Sequence, residues 1–147
     1  MGVDVVVETV IDRPLDVVAA YAGDPSHAPA WYANISSVQW RTSPPLGVGS
    51  RMDFVARFLG RRIAYTYEVV ELVPGRRLVM RTAQGPFPMQ TTYEWEPIER
   101  KQRTRMTLRN TGEPSGFGRV AAPVLEAAMR RATTKDLAAL KALLERT

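Results

Sequence analysis

Residues 51–72 read RMDFVARFLGRRIAYTYEVVEL, and apolar and polar side chains alternate on both sides of Gly60-Arg61. A period of two residues is typical of a β-strand that buries one face. A glycine between two such runs permits the tight turn of a β-hairpin. The stretch therefore predicts two antiparallel strands that share one apolar face. The side chains on that face are Met52, Phe54, Ala56, Phe58, Ile63, Tyr65, Tyr67 and Val69.

The same alternation continues along the chain on both sides of this hairpin, and turns rich in proline and glycine separate the runs. It predicts an antiparallel meander of six consecutive strands with one apolar and one polar face. The β-branched residues near the start of the chain add a seventh strand. The predicted strands cover residues 3–12, 35–42, 50–59, 62–72, 77–82, 89–96 and 104–110.

Two short helices are predicted between the first two strands. Pro14 suits the first turn of one helix, where Asp16 lies near the positive end of the helix dipole. Asp24 followed by Pro25 is typical of the start of a second helix, which we expect to end near Trp31.

An alanine-rich segment at residues 116–145 predicts one long C-terminal helix that covers the apolar face of the sheet. At 1.5 Å per residue it would measure roughly 45 Å. We expect a bend at residues 119–123, because Pro123 removes a backbone hydrogen bond. The residues expected to face the sheet are Phe117, Val120, Ala121, Val124, Ala128, Met129, Leu140, Leu143 and Leu144.

This order of elements resembles the helix-grip fold of the START/birch-pollen-allergen (SRPBCC) superfamily. The likeness covers nearly the whole chain and is closest to the bacterial polyketide cyclase/dehydrase family. The motifs that carry it are Val10-Ile11-Asp12-Arg13-Pro14, Asp24 with Trp31, Gly47-Val48-Gly49, Val70-Glu71-Leu72-Val73-Pro74 with Arg77-Leu78, and Leu137 with Leu140-Lys141 and Glu145.

The resemblance implies an α+β fold. A curved, seven-stranded antiparallel sheet wraps around a long C-terminal helix, with two short helices after strand 1. Residues 1–147 are expected to form a single START-like ligand-binding domain. The resemblance also implies a cavity between the sheet and the long helix that holds a hydrophobic small molecule.

The amino-acid composition limits the kinds of catalytic and metal sites that the chain can form. The chain has no cysteine and a single histidine, His27, which excludes thiolate catalysis, disulfides and multi-histidine metal centres. We therefore expect no metal and no cofactor. The net charge is +5, and basic residues gather at Arg76, Arg77, Arg100, Lys101 and Arg103. Nucleic-acid binding is nevertheless disfavoured, because no aromatic residues are interleaved with these cations.

The predicted ligand-binding residues are the large apolar and hydroxyl side chains on the inward phase of the strands, together with apolar residues of the long helix. Methionine and aromatic residues suit an adaptable apolar pocket, although such residues also form ordinary cores. The predicted set is Trp40, Met52, Phe54, Phe58, Tyr65, Tyr67, Met80, Met89, Thr91, Tyr93, Met106, Leu108, Phe117, Val120 and Val124.

In a meander, alternate turns lie at the same end of the sheet. The turns at 59–62 and 84–88 therefore lie together, beside the approach to the long helix, where ligand-binding relatives have their gate. The predicted gate residues are Gly60, Arg61, Gly85, Pro86 and Phe87. A solvated hairpin tip would explain the same residues.

These observations favour a protein that binds or carries a lipid, a polyketide or a similar hydrophobic molecule. The alternative is a cyclase/dehydratase enzyme, in which tyrosine, asparagine or arginine donates protons, because no carboxylate falls on the inward phase of the central strands. A protein-interaction module with a filled interior is a third reading. We expect a cytoplasmic protein without membrane insertion. A homodimer is compatible with the sequence.

Overall fold

The protein is described by a computed structural model that covers residues 2–100, 102–113 and 121–146. Three α-helices lie within these residues: α1 (Leu15–Ala22), α2 (Ala28–Trp31) and α3 (Ala122–Glu145), with a 3-10 turn at Pro25–His27 before α2. The strands are β1 (Val3–Ile11), β2 (Ile35–Trp40), β3 (Arg51–Phe58), β4 (Arg61–Val73), β5 (Arg77–Gln84), β6 (Met89–Ile98) and β7 (Arg103–Gly112).

The seven strands form one antiparallel sheet in the order β1-β7-β6-β5-β4-β3-β2. Strands β2 to β7 follow the chain as a meander, and β1 pairs with β7 from Val3 opposite Gly112 to Ile11 opposite Thr104. The predicted helix-grip fold is confirmed. The N-terminal strand β1 joins the six-stranded meander, and two short helical segments follow β1 in the chain.

Irregular pairing bends the sheet. The register shifts between Ile35 and Ser37 in β2, and twice in β4, at Thr66/Tyr67 and at Val69/Glu71. Such bulges increase the local twist and curve the strand. After the second shift in β4 the side chain of Glu71 is exposed and pairs with Arg77 at 3.1 Å.

The convex face of the sheet carries paired charges. Arginine and acidic side chains of neighbouring strands meet across it, for example Arg109 with Asp4 at 2.6 Å and Arg51 with Glu68 at 2.8 Å. Exposed pairs of this kind each contribute about 0–1 kcal/mol. They therefore add little to the stability of the fold.

The C-terminal half of α3 is tied to the end of β1. Lys141 Nζ donates a hydrogen bond to the Val10 carbonyl oxygen at 2.7 Å, and Glu145 Oε2 accepts one from the Asp12 amide at 2.7 Å. The Arg13 guanidinium donates to the Glu145 carbonyl oxygen at 3.0 Å. Two of the motifs that carried the family resemblance therefore contact each other, which holds the helix across the sheet.

The sequence prediction for the start of α3 was wrong in two respects. The helix begins at Ala122, so Pro123 lies in its first turn, where a proline amide has no helical partner to lose, and it causes no bend. Leu125 rather than Val124 faces the sheet: Leu125 is 4% exposed and Val124 is 61% exposed. The predicted apolar stripe was extrapolated from Phe117 and Val120, which lie outside the described residues.

The buried face of α3 follows the spacing of three and four residues that a helix packed on one side requires. Its buried members are Leu125, Thr133, Asp136, Leu137, Leu140 and Leu144.

Substitutions at two adjacent helix positions test this orientation. Leu125→Ala removes a buried isobutyl group and is expected to lower the free energy of unfolding by about 2–4 kcal/mol. Val124→Ala changes an exposed side chain and is expected to change it by less than about 0.5 kcal/mol. Urea denaturation of both variants measures the difference, and a larger loss for Val124→Ala would show that the helix is rotated.

Candidate functional site

A cavity of about 160 Å³ lies between the concave face of the sheet and α3. It is at the end of the sheet where the β3–β4 and β5–β6 turns lie. Strands β3 to β7 supply most of its wall, and the α2–β2 connection and α3 close it. The apolar part of the wall consists mainly of aromatic and methionine side chains. The sequence predicted side chains of these types on the inward face of the strands.

The structure brings eight residues of the predicted ligand-binding set together around this cavity. They are Phe54, Phe58, Tyr65, Tyr67, Met80, Met89, Thr91 and Tyr93.

Four predicted residues are on the sheet but do not line this cavity. Met52, Met106 and Leu108 are completely buried among other core side chains. Trp40 lies toward the other end of the sheet, where its indole Nε1 donates to Ser26 Oγ at 2.8 Å and its ring borders a separate groove beside α1. The alternation of a strand predicts which face a residue occupies, but it carries no information about where along the strand a cavity lies.

The remaining predicted lining residues belong to the region before and at the start of α3. Val124 is exposed because the helix has a different phase from the predicted one, so the prediction for it was wrong. Phe117 and Val120 lie outside the described residues.

Of the predicted gate residues, Phe87 lines the cavity and is 7% exposed. Gly60, Gly85 and Pro86 are exposed, and Arg61 is half-buried at the start of β4; none of them lines the cavity. Gly85 nevertheless supports the wall, because a Cβ there would lie 3.0 Å from Tyr65 Cβ. A gating function for these turns stays a prediction.

One group of polar side chains in the wall is satisfied internally. The Tyr67 hydroxyl lies 2.7 Å from Thr91 Oγ1, which donates to Asn110 Oδ1 at 2.8 Å. The Asn110 amide in turn donates to Thr133 Oγ1 on α3 at 3.5 Å. The Thr91 hydroxyl has a single proton, which it donates to Asn110. Tyr67 is therefore the donor in the hydrogen bond between Tyr67 and Thr91.

A second polar group lies where the α2–β2 connection meets α3. The hydroxyls of Tyr32 and Tyr93 are 2.6 Å apart, and Asp136 Oδ1 accepts a hydrogen bond from the Ala33 amide at 3.0 Å. Asp136 is 4% exposed and lines the cavity. It is the buried carboxylate that the sequence analysis missed.

Burial sets the protonation of these groups. Burial raises the pKa of Asp136 from its ordinary value of 3.8 to about 6, although the Ala33 amide acts in the opposite direction. Burial also raises the pKa of Tyr67 to about 12, and it raises the pKa values of Tyr32, Tyr65 and Tyr93 further above the usual range. At neutral pH the tyrosines are therefore neutral phenols, and Asp136 is the group that titrates near physiological pH.

The strand alternation gives no information about Asp136, because this residue lies on α3. The signal was present in the helix. Asp136 follows Thr133 by three residues and precedes Leu140 by four, so it lies on the same buried face. An acid on an otherwise apolar helical stripe is uncommon and is a useful marker of a polar site.

His27 lies away from the cavity. Its ring stacks on Tyr21 with the centroids 4.1 Å apart, and its Nδ1 lies 3.0 Å from the Tyr21 carbonyl oxygen. Within the described residues, no group of three histidine or acidic side chains is arranged to hold a metal ion.

Two arginines of the predicted basic cluster are paired with acidic side chains. Arg77 pairs with Glu71 and Glu94, and Arg103 pairs with Glu99 and, at 3.8 Å, with Asp12. Lys101 lies outside the described residues.

A family model for proteins described as "Polyketide cyclase / dehydrase and lipid transport" matches residues 2–145. The chain belongs to this family. Membership supports a hydrophobic ligand-binding or polyketide cyclase-like role for this family member and confirms the SRPBCC resemblance seen in the motifs. No curated protein matches the sequence. None of the helices in the described part of the chain is long and apolar enough to cross a membrane.

Solved structures with the same fold share little sequence with this family member. A START superfamily protein from Mycobacterium smegmatis is 14% identical, with a TM-score of 0.84 over 97% of both chains. The Zhui aromatase/cyclase from Streptomyces sp. R1128 is 18% identical, with a TM-score of 0.79 over 99% of this chain and 95% of that one. The ginseng major latex-like protein 151 from Panax ginseng is 15% identical, with a TM-score of 0.74 over 97% of both chains. At these identities the likeness concerns the fold alone.

The buried carboxylate has a testable effect on stability. Between about pH 4 and pH 6 the unfolded chain loses the Asp136 proton while the folded protein keeps it, so this group lowers the free energy of unfolding as the pH rises. Asp136→Asn removes the ionisation and retains an oxygen for the Ala33 amide. At pH 7.5 we expect it to raise the free energy of unfolding by about 3 kcal/mol, since the pKa of Asp136 is about two units above its ordinary value and each unit corresponds to about 1.4 kcal/mol.

The gain should shrink when urea denaturation is repeated near pH 4.5. Glu8→Gln, at an exposed position on β1, is the matched control and should have little effect at either pH. An Asp136→Asn gain that does not depend on pH would contradict the assigned titration.

Proposed function

We propose that this chain is a single ligand-binding domain over residues 1–147 that holds a small, largely apolar molecule in the cavity between the sheet and α3. The observation that carries the proposal is the cavity of about 160 Å³ itself, with its aromatic and methionine wall and polar groups confined to a few places. Binding pockets for small molecules are typically apolar clefts with a few convergent polar groups.

The volume limits the ligand. An apolar protein cavity of roughly 150 Å³ accommodates benzene, so this cavity fits one aromatic or alicyclic ring without rearrangement. A lipid chain or a polyketide of several rings needs more room. Met80, Met89 and Met129 all line the cavity, and unbranched methionine side chains can change rotamer to enlarge it.

Filling the cavity from α3 tests the proposal. Ala132 lines the cavity, and Ala139 on the same helix is exposed. We expect Ala132→Leu to reduce the affinity for toluene by about tenfold or more, because its isobutyl group occupies the space of the ring. Ala139→Leu makes the same chemical change at the surface and should leave the affinity unchanged.

Binding can be followed by the NMR signals of ¹³C-labelled methionine methyl groups. Met80, Met89 and Met129 report on the cavity, while Met52 and Met106 are core references that do not line it. Saturable shifts confined to the first three are expected. No shift with toluene, or equal binding by both leucine variants, would overturn the proposal.

A cyclase-type enzyme on the same scaffold is the second candidate, and the Tyr32–Tyr93 pair beside Asp136 is the observation that favours it. In an intramolecular aldol condensation the Asp136 carboxylate would remove an α-proton from one ketone, and the enolate carbon would bond to a second carbonyl carbon. A phenol of the pair would protonate the resulting alkoxide, and the phenolate would recover a proton from the Asp136 carboxyl group. In the dehydration the Asp136 carboxylate would remove the second α-proton, and the departing hydroxide would take a proton from the phenol and leave as water. A carboxylate with a pKa near the working pH suits this exchange.

The test substrate is a short diketone that closes a six-membered ring, with enone formation followed by absorbance. Catalysis predicts turnover that Asp136→Asn abolishes while toluene affinity is kept. Absence of turnover in a protein that binds toluene would leave the carrier function alone.

A further inference from the structure

The polar side chains around the cavity differ in how much of their hydrogen-bonding capacity other side chains use. In the group that runs from Tyr67 through Thr91 and Asn110 to Thr133, each side chain is hydrogen-bonded to another member of the group. Asp136 is different: Oδ1 accepts from the Ala33 amide, and Oδ2 has no hydrogen-bond partner among the described residues. An ionised carboxylate has room for about four hydrogen bonds, so the described residues use only a small part of the accepting capacity of Asp136.

Among the described residues, no arginine or lysine compensates the charge of Asp136. Most carboxylates in the described part of the chain have an arginine or lysine within 4.0 Å, such as Asp4 with Arg109 and Glu145 with Lys141. Asp136 has no such partner there, although it is 4% exposed. Burying an unpaired carboxylate lowers stability. A ligand that supplied the missing donor would remove that cost.

The surroundings of Asp136 favour a donor. Tyr32 and Tyr93 are its titratable neighbours, and both are neutral phenols that share a hydrogen bond with each other. The Tyr65 hydroxyl, which also borders the cavity, has no hydrogen-bond partner in the described residues. Aromatic faces next to a carboxylate form a suitable environment for an ammonium group or a hydroxyl on a ring.

We propose that the cavity selects a single-ring ligand that carries a hydrogen-bond donor, an amine or a hydroxyl, which binds Oδ2 of Asp136, and that it discriminates against ligands with a carboxylate. This inference rests on the proposed binding function and specifies its ligand. It assigns Asp136 as the residue that determines specificity.

Arg57 is the competing charge. It is the other charged residue among those lining the cavity, it is exposed near the end of β3, and it forms no salt bridge within the described residues. If Arg57 controlled recognition, the ligand would be an anion and would bind at the mouth rather than beside Asp136. The two residues therefore predict opposite preferences.

The experiment compares four probes of similar size at pH 7.5: toluene, benzylamine, p-cresol and benzoate. We expect benzylamine and p-cresol to bind roughly tenfold more tightly than toluene, because each adds a charge-assisted hydrogen bond, and benzoate to bind more weakly than toluene. In Asp136→Asn the advantage of benzylamine over toluene should disappear while toluene affinity changes less than about twofold. Arg57→Gln should keep the order of the four probes.

Lowering the pH tests the wild-type protein without a substitution. Near pH 5 Asp136 gains its proton while Tyr32 and Tyr93 remain neutral phenols, so the benzylamine advantage should fall and toluene binding should persist. Tightest binding of benzoate, its loss in Arg57→Gln, or an unchanged benzylamine-to-toluene ratio in Asp136→Asn would overturn the inference. Failure of toluene and of every other probe to bind would overturn the proposed function itself.

Discussion

One helix has to cover the concave face of a seven-stranded sheet, and the rest of the structure follows from that constraint. At about 4.8 Å between strands the sheet is roughly 29 Å wide, whereas a helix with its side chains is about 10 Å across. Helix α3 packs chiefly against β1, where Lys141 and Glu145 fix its C-terminal half. The sheet must then curve and fill the remaining space with side chains. Bulges in β2 and β4 supply curvature, and large aromatic residues fill most of the space.

The space is not filled completely, and this is the physical origin of the site. Toward one end of the sheet the core residues Met52, Met106 and Leu108 pack without exposure. Toward the turns that join β3 to β4 and β5 to β6, the wall is built of rings and hydroxyls that diverge around a cavity. The polar side chains there could have been satisfied entirely by one another, as Tyr67, Thr91 and Asn110 are. Asp136 differs from these side chains. It is buried, accepts one backbone hydrogen bond and has no cationic partner in the described residues. A carboxylate kept at a cost in stability is a mark of a functional position.

The convex face of the sheet carries many of the protein's other charged side chains. Several of its arginines meet acidic side chains across neighbouring strands, for example Arg51 with Glu68 and Arg105 with Glu96. These charges are paired and exposed to solvent. Asp136, by contrast, is buried and has no cationic partner among the described residues.

The sequence by itself determined the strands, their order and the face on which most side chains lie, because a period of two residues and Pro-Gly turns are local properties. It also predicted eight of the residues that line the cavity, since those share the inward phase of the strands. It placed Val124 rather than Leu125 against the sheet, because one residue of error in a helix rotates the face by about 100° and only packing against β1 selects the phase. Whether an inward residue such as Met52 packs solidly or, like Tyr65, borders a cavity depends on how the curved sheet meets α3. The burial of the Asp136 carboxylate likewise arises only once the helix, the α2–β2 connection and the sheet enclose it, so it was decided by the tertiary structure.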